Sequence, residues 1–270
     1  MHRYLLKLGP LTIYSYGAML ALAFIFGTVL AAFRAQRSGV DKNKIVDLIF
    51  YILVSSLLGA RLMFVALNWS YYAGHLPEIF QIWEGGLVFY GGLVLAFIVS
   101  VWFIKNNCLS LGKILDILAP SVALGIAIGR IGCFLNGCCW GKVSYKWGIT
   151  FPFKDNPPAY AEQVYDGLIS KDALCSLPVI PTQLYESLAC LVIFFFLLGL
   201  DRFKRFDGLI FWMFILLYSI FRFFIEYFRY YESNFLFGPF TASQIISVIL
   251  FVSAMAVIIA GKKLRSRKVE

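Results

Sequence analysis

Charged residues are scarce in this chain: Asp, Glu, Lys and Arg make up 14% of 270 residues. An ordinary soluble domain carries roughly 25% charge and about 45–50% apolar residues. A soluble fold of this size would lack the polar surface to cover itself. Apolar residues instead reach 60%, aromatics alone 18%, and the mean hydropathy is +0.79. The excess points to lipid as the solvent rather than to a larger core. Other absences narrow the class. No small-residue cleavage site follows a short apolar region: Met1–Pro10 carries Arg3 and Lys7, and the apolar run from Leu11 is long enough to stay in the membrane. A signal peptide is therefore not expected. The six cysteines form no spaced pair of CxxC knuckles, which argues against a structural zinc site. The net charge of +9 could suggest nucleic acid, but no basic patch is interleaved with aromatics that would stack bases. Nucleic acid is set aside as a partner.

A helix needs about 20 apolar residues to cross the hydrocarbon core. Candidate spans run over Leu11–Phe33, Lys44–Leu67, Gly86–Ile104, Ile114–Leu135, Thr182–Leu200, Leu209–Phe228 and Thr241–Ala260. The fold class expected is an all-α integral membrane protein of about seven transmembrane helices, with its two termini on opposite sides. The basic residues set the direction. Arg34, Arg37, Lys42 and Lys44 follow the first span, Lys105 and Lys113 the third, and Arg202, Lys204 and Arg205 the fifth; Lys262, Lys263, Arg265, Arg267 and Lys268 form the tail. The connection Asn68–Gly85 contains no Lys or Arg. This bias predicts a cytoplasmic C-terminus and an N-terminus outside, with Arg3 and Lys7 outvoted. Trp69, Tyr71, Tyr72 and Trp83 suit an interfacial aromatic belt.

The longest connection, 136–180, falls on the outer side in this topology. Its turn formers (Gly148, Pro152, Asn156, Pro157, Pro158) and its aromatics (Tyr145, Trp147, Phe151, Phe153, Tyr160, Tyr165) predict a small folded cap. Its lysines are balanced by Asp155, Glu162, Asp166 and Asp172. Residues 1–270 are expected to form one transmembrane domain with this cap inserted. No internal repeat stands out, and in particular no pair of broken helices of the transporter kind.

Three arginines stand within or at the edge of the spans: Arg61, Arg130 and Arg222. A charge at the bilayer centre costs about 2.5–3.5 kcal/mol on insertion scales, so it normally faces the protein interior and has a partner. Arg61, late in the second span, could equally snorkel to the interface. Arg130 lies in the glycine-rich segment Gly129–Gly141, where it could present its planar fork to a phosphate or simply mark a tight helix contact. Arg222 and Glu226 are four apart on one helix face and can pair, for structure or for function. Gly85-Gly86-Leu87-Val88-Phe89-Tyr90-Gly91-Gly92 sets one polar aromatic among paired glycines, and close helix packing would explain it as well. Pro181-Thr182-Gln183-Leu184-Tyr185-Glu186 reads as a structural helix start. Cys108 and Cys190 read as packing residues. Cys138 or Cys139 could pair with Cys175 in an oxidising compartment, or all three could be free thiols.

Taken together, Gly129–Gly141, the Gly-Gly-x-x-Phe-x-Gly-Gly stretch, Pro181–Glu186, Arg222–Glu226 and Tyr16-Gly17 occur in the order that resembles the prolipoprotein diacylglyceryl transferases. The resemblance implies transfer of the diacylglyceryl group of phosphatidylglycerol to a lipobox cysteine thiol of a prolipoprotein. Glycerol 1-phosphate leaves, no metal or organic cofactor is used, and the setting is the cytoplasmic (inner) membrane of a bacterium. It further implies that Arg130 and Arg222 hold the phosphate and stabilise the leaving group, that Glu226 orients Arg222, and that activity depends on Tyr16 and Gly141. Asn136 and Cys133 fall within the substrate-binding signature, and Arg61 is carried as a further substrate-binding candidate. Tyr90 stands where the family usually has histidine, Cys133 where it has asparagine, Cys138 where it has an acidic residue, and Ile180 where histidine often precedes the proline. An unperturbed tyrosine, with a pKa of about 10, is a poor resting base at neutral pH. The alternatives are a paralogue with a different acceptor and a membrane lipid or anion transporter.

Overall fold

The computed structural model describes residues 3–8, 11–81, 85–154, 156–230, 236–237 and 240–266. Trp83, Asp155, Arg267 and Lys268 therefore lie outside the described residues, as do the side chains of Lys262, Lys263 and Arg265. Among the described residues seven helices are long and apolar enough to cross a membrane. They are α1 (Ser15–Arg37), α2 (Lys42–Leu67), α4 (Phe89–Asn106), α5 (Leu111–Asn136), α7 (Thr182–Leu200), α8 (Leu209–Ile225) and α9 (Ala242–Ser266). Two shorter helices, α3 (Trp69–Tyr72) and α6 (Pro158–Tyr165), lie in connections. The chain is a multi-pass membrane protein.

Two starts differ from the expectation. Residues Leu11–Tyr14 are not helical but form a strand, β2, antiparallel to β1 (Tyr4–Leu8). Thr12 and Ile13 are β-branched and Tyr14 is aromatic, residue types that favour the pleated backbone. α4 begins at Phe89 rather than Gly86, because Gly85 and Gly86 both take positive φ (92° and 72°), a region open to glycine and closed to a helix. A second small hairpin pairs β3 (Leu236–Phe237) with β4 (Phe240–Thr241).

The chain divides into two compact units, Leu30–Ile114 and the remainder, Met1–Val29 with Leu115–Glu270. In the first of these, α2 starts on Asp41, whose side chain accepts the Asn43 N–H at 2.9 Å, and it packs on α4 through glycines. A Cβ at Gly91 would strike Gly59 O and Met63 Cβ, and one at Gly92 would lie 2.6 Å from Ser56 O. The second glycine pair is thus used to bring two backbones together.

In the larger unit α5, α7, α8 and α9 share a core that includes Ala123, Ala127, Cys190, Leu197, Ile210, Phe214 and Ala254, all buried. Large apolar side chains such as Phe195 and Ile249 stay exposed on other faces, as lipid contact requires. One carboxylate organises an end of this bundle. Asp116 on α5, 2% exposed, accepts N–H groups of Gly208 (2.7 Å) and Phe211 (3.0 Å) and pairs with Lys204 Nζ at 2.9 Å. It satisfies amides at the start of α8 that have no partner within the helix. Lys204 also pairs with Asp207 at 2.8 Å.

The connection 136–180 has its own small core of Trp140, Phe151, Ala159 and Val179, with Phe134 and Tyr230 packed against it. Short antiparallel bridges hold it: Val143 with Val179, Ile149 with Val179, and Pro152 with Cys175. Pro158 opens α6 at a position where its missing N–H costs nothing.

Candidate active site

At the opposite end of α5 from Asp116, the first charged side chain after it is Arg130. The C-terminal ends of α5 and α8 here meet the N-terminal ends of α7 and α9. Each contributes polar side chains to a region otherwise walled by apolar helix faces. Arg130 and Arg222 are 18% and 17% exposed at the side chain, and one carboxylate between them, Glu186 of α7, is 2% exposed. Arg130 Nη2 lies 2.9 Å from Glu186 Oε1, and Arg222 Nη1 lies 3.6 Å from Glu186 Oε2. The Tyr218 hydroxyl donates to the same Oε1 at 2.9 Å. A buried carboxylate is stable only when it is paired and hydrogen-bonded, and Glu186 has both.

Arg222 is held from two further sides. Its Nη2 lies 3.3 Å from Glu226 Oε2, the four-residue pairing expected along α8, and its Nε donates to Ser243 Oγ at 3.0 Å. Glu226 is fixed in turn by Thr241 Oγ1, which donates to Oε1 at 2.8 Å. Thr241 caps α9 reciprocally with Gln244: the Gln244 N–H reaches Thr241 Oγ1 at 3.2 Å, and the Thr241 N–H reaches Gln244 Oε1 at 3.0 Å. Among the described residues Arg222 Nη1 makes no hydrogen bond although it is buried, and its ion-pair distance to Glu186 is too long for one. A guanidinium donor is thereby left for an acceptor that is not among the described residues.

The arginine-bearing turn leads directly into three cysteines. Gly137 (φ 74°) and Cys139 (φ 62°) both adopt left-handed backbone, which folds the chain back after α5. As a result the sulfurs of Cys133, Cys138 and Cys139 lie within 4.8 Å of one another. Two buried side chains of α7 pin the turn: Gln183 Nε2 donates to Cys138 O at 2.6 Å, and Thr182 Oγ1 donates to Cys139 O at 2.9 Å. The Cys139 thiol is held well below its ordinary value, first by hydrogen bonds from Cys133 and Cys138 and then by the charges of Arg130 and Arg229. Cys175 is exposed and free, bridging Pro152 rather than Cys138 or Cys139; the pairing considered for it is not present.

The other sequence-derived positions divide. Tyr16, at the start of α1 and 41% exposed, lies against Gly132, two residues after Arg130. Asn136 closes α5, two residues before Cys138, whose thiol donates to Cys133 O at 3.6 Å. Gly141 donates its N–H to Ile180 O at 2.9 Å and bridges Arg229. A Cβ there would meet Phe228 O, Thr182 Cγ2 and Ile180 Cβ, so the position admits only glycine. Arg61 and Tyr90 belong to the smaller unit. Arg61 is buried and gives its donors to backbone: Nε to Ile79 O (2.8 Å), Nη1 to Gly85 O (2.8 Å) and Gly86 O (3.2 Å), Nη2 to Glu78 O (2.5 Å). It ties the loop before α4 to α2. Tyr90 stands on the first turn of α4, 68% exposed.

Sequence reasoning passed over Glu186, Tyr218, Thr241 and Ser243. Glu186 had a usable signal, since a carboxylate inside an apolar run must have a cationic partner. The hydroxyls had none, because a spanning helix tolerates them without a fixed role.

Residues 3–260 match the family model described as prolipoprotein diacylglyceryl transferase. The chain is 37% identical over 260 residues to the phosphatidylglycerol–prolipoprotein diacylglyceryl transferase of Geobacillus kaustophilus, covering 95% of this chain and 91% of that one. It is 31% identical over 265 residues to the protein of the same name from Geobacter sulfurreducens, covering 95% of each. For that of Bacillus licheniformis the identity is 34% over 270 residues, covering 98% and 93%. With Arg130, Glu186, Arg222 and Glu226 joined at one end of its helices and this likeness running nearly end to end, the chain belongs to the prolipoprotein diacylglyceryl transferase family.

Proposed function

We propose that this protein transfers the diacylglyceryl group of phosphatidylglycerol to the lipobox cysteine thiol of a prolipoprotein and releases glycerol 1-phosphate. The observation that carries the reading is the pair of membrane-embedded arginines sharing Glu186, with no hydrogen bond to Arg222 Nη1 among the described residues. A phosphodiester is a singly charged acceptor that suits two preorganised guanidinium forks. As the bond from the glyceryl carbon to the phosphate oxygen breaks, a second negative charge develops on that phosphate. Fixed cations in a water-poor site stabilise that charge without reorganising. Glu226, with Thr241 behind it, keeps Arg222 aimed, and Glu186 keeps the two arginines from repelling each other. The basic clusters beside α1, α2, α4 and α7 support a topology with the C-terminus in the cytoplasm. The site then opens toward the outer leaflet of the cytoplasmic membrane, where a prolipoprotein would present its cysteine.

The test is transfer from phosphatidylglycerol vesicles to a lipobox peptide by purified protein. Arg130→Ala and Arg222→Ala should each lower the rate by about 10²–10³-fold, the loss typical of removing one charge-stabilising donor. Near-normal rates in both variants overturn the phosphate-holding role of the arginines, and no transfer by the native chain overturns the reading. Lipid turnover with the peptide unmodified would instead assign a different acceptor.

A further inference from the structure

The fold works to bring Cys133, Cys138 and Cys139 together. Cys133 lies three residues after Arg130, on the same face of α5. Cys138 and Cys139 return to it only because two successive turns take left-handed backbone, one of them at a non-glycine residue, a conformation that persists only where the surroundings enforce it. The enforcing groups are Thr182 and Gln183, 2% and 1% exposed, which hold the two cysteine carbonyls. The other oxygen of that amide, Gln183 Oε1, is buried with no hydrogen bond among the described residues. An acceptor is therefore left next to the thiol cluster.

We propose that Cys133, Cys138 and Cys139 form a three-thiolate zinc site whose open fourth position takes the acceptor thiol. The inference rests on the transfer reading above and supplies the thiol activation that Tyr90 serves poorly. Zinc–sulfur bonds of about 2.3 Å hold tetrahedral ligand sulfurs about 3.8 Å apart, and the three sulfurs here already lie within 4.8 Å of one another. Thiolates select soft d10 cations over magnesium or calcium. Zinc with three protein ligands leaves one position for water or substrate, and a thiol coordinated there is deprotonated outright. The charges agree: three thiolates and one zinc ion leave one net negative charge, facing Arg130 and Arg229. The step balances without a redox change. The acceptor thiol releases its proton to solvent on binding, and its sulfur then forms a bond to the glyceryl carbon that carries the phosphate ester. The carbon–oxygen bond breaks, and its electron pair leaves on the phosphate held by Arg130 and Arg222. The product thioether is neutral and a weak ligand, so it dissociates.

The experiment uses the full chain in detergent, with zinc content measured by elemental mass spectrometry and cobalt(II) as the spectroscopic probe. Expected are one zinc per chain and a thiolate-to-cobalt charge-transfer band. Both should weaken at least about 100-fold, beyond the range typical of outer-shell partners, in Cys133→Ser, Cys138→Ser and Cys139→Ser, and persist in the Cys108→Ser/Cys175→Ser control. Chelation should lower peptide transfer, and added zinc should restore it. A protein that transfers normally yet binds neither zinc nor cobalt overturns the site and leaves the transfer reading standing. So does a stable disulfide between any two of the three cysteines in unreduced, active protein. Zinc bound but irrelevant to the rate overturns the activating role. Metal binding by a native chain that transfers nothing to the peptide would instead defeat the transfer reading.

Discussion

Glu186→Gln isolates the organising charge of the site. At an effective dielectric of 20, the attraction of Glu186 for Arg130 at 2.9 Å and for Arg222 at 3.6 Å amounts to about 6 and about 5 kcal/mol. Most of that is offset by desolvating a carboxylate that is 2% exposed. Breaking such a buried pair from one side costs about 3–5 kcal/mol, because the cations stay behind. Glutamine keeps one oxygen, which can still accept from Tyr218 and Arg130. Its amide nitrogen then points donors at the donors of Arg222. The lower end, about 3 kcal/mol, is therefore expected. Reversible unfolding in detergent micelles, followed by tryptophan fluorescence, measures it. In a cycle with Arg222→Met the double variant should be less destabilised than the sum by at least about 1 kcal/mol, as for residues sharing one network. Transfer should fall about 10²-fold from misplacement of the arginines alone. A loss under about 0.5 kcal/mol, the range of an ordinary surface substitution, together with additive variants, would refute the idea that Glu186 joins the two arginines.

Two further outcomes follow from other parts of the fold. Burial works against the charged form of Lys204, but its hydrogen bonds to Asp207 and Asp116 outweigh this and hold its pKa above the ordinary 10.5. The group is raised in the folded state, so its stabilising effect is fully present below 10.5 and disappears as pH climbs through the higher folded value. Unfolding temperature should fall more steeply in that alkaline window for the native chain than for Lys204→Met, and equal slopes would contradict the pairing. Gly91→Ala should destabilise the contact of α2 with α4 by about 1–3 kcal/mol, the usual cost of overpacking, since the new methyl meets Gly59 backbone and Met63; unchanged thermal stability would show that the helices have room to part.

The spans were legible because the membrane imposes one simple rule, length and hydropathy together, and all seven helices answer to it. Their starts were less so. Leu11–Tyr14 is apolar enough to continue a helix, but its β-branched and aromatic residues pair as a strand with Tyr4–Leu8. Arg222 and Glu226 could be paired from spacing, because four residues on one helix fix their separation before any tertiary contact exists. Arg61 and Arg130 looked alike in sequence, both being cations at a helix end. Their roles diverge through partners distant in the chain: four loop carbonyls for Arg61, one carboxylate from α7 for Arg130.

The sequence by itself determined that the chain lives in lipid, how many times it crosses, and which charged residues the bilayer would force to find partners. Each of these follows from local composition against a fixed hydrocarbon thickness. Only the tertiary structure decided that Glu186 is the shared partner of Arg130 and Arg222, and that Cys133, Cys138 and Cys139 meet while Cys175 stays apart. Those results depend on how α5, α7 and α8 converge and on two left-handed turns after α5.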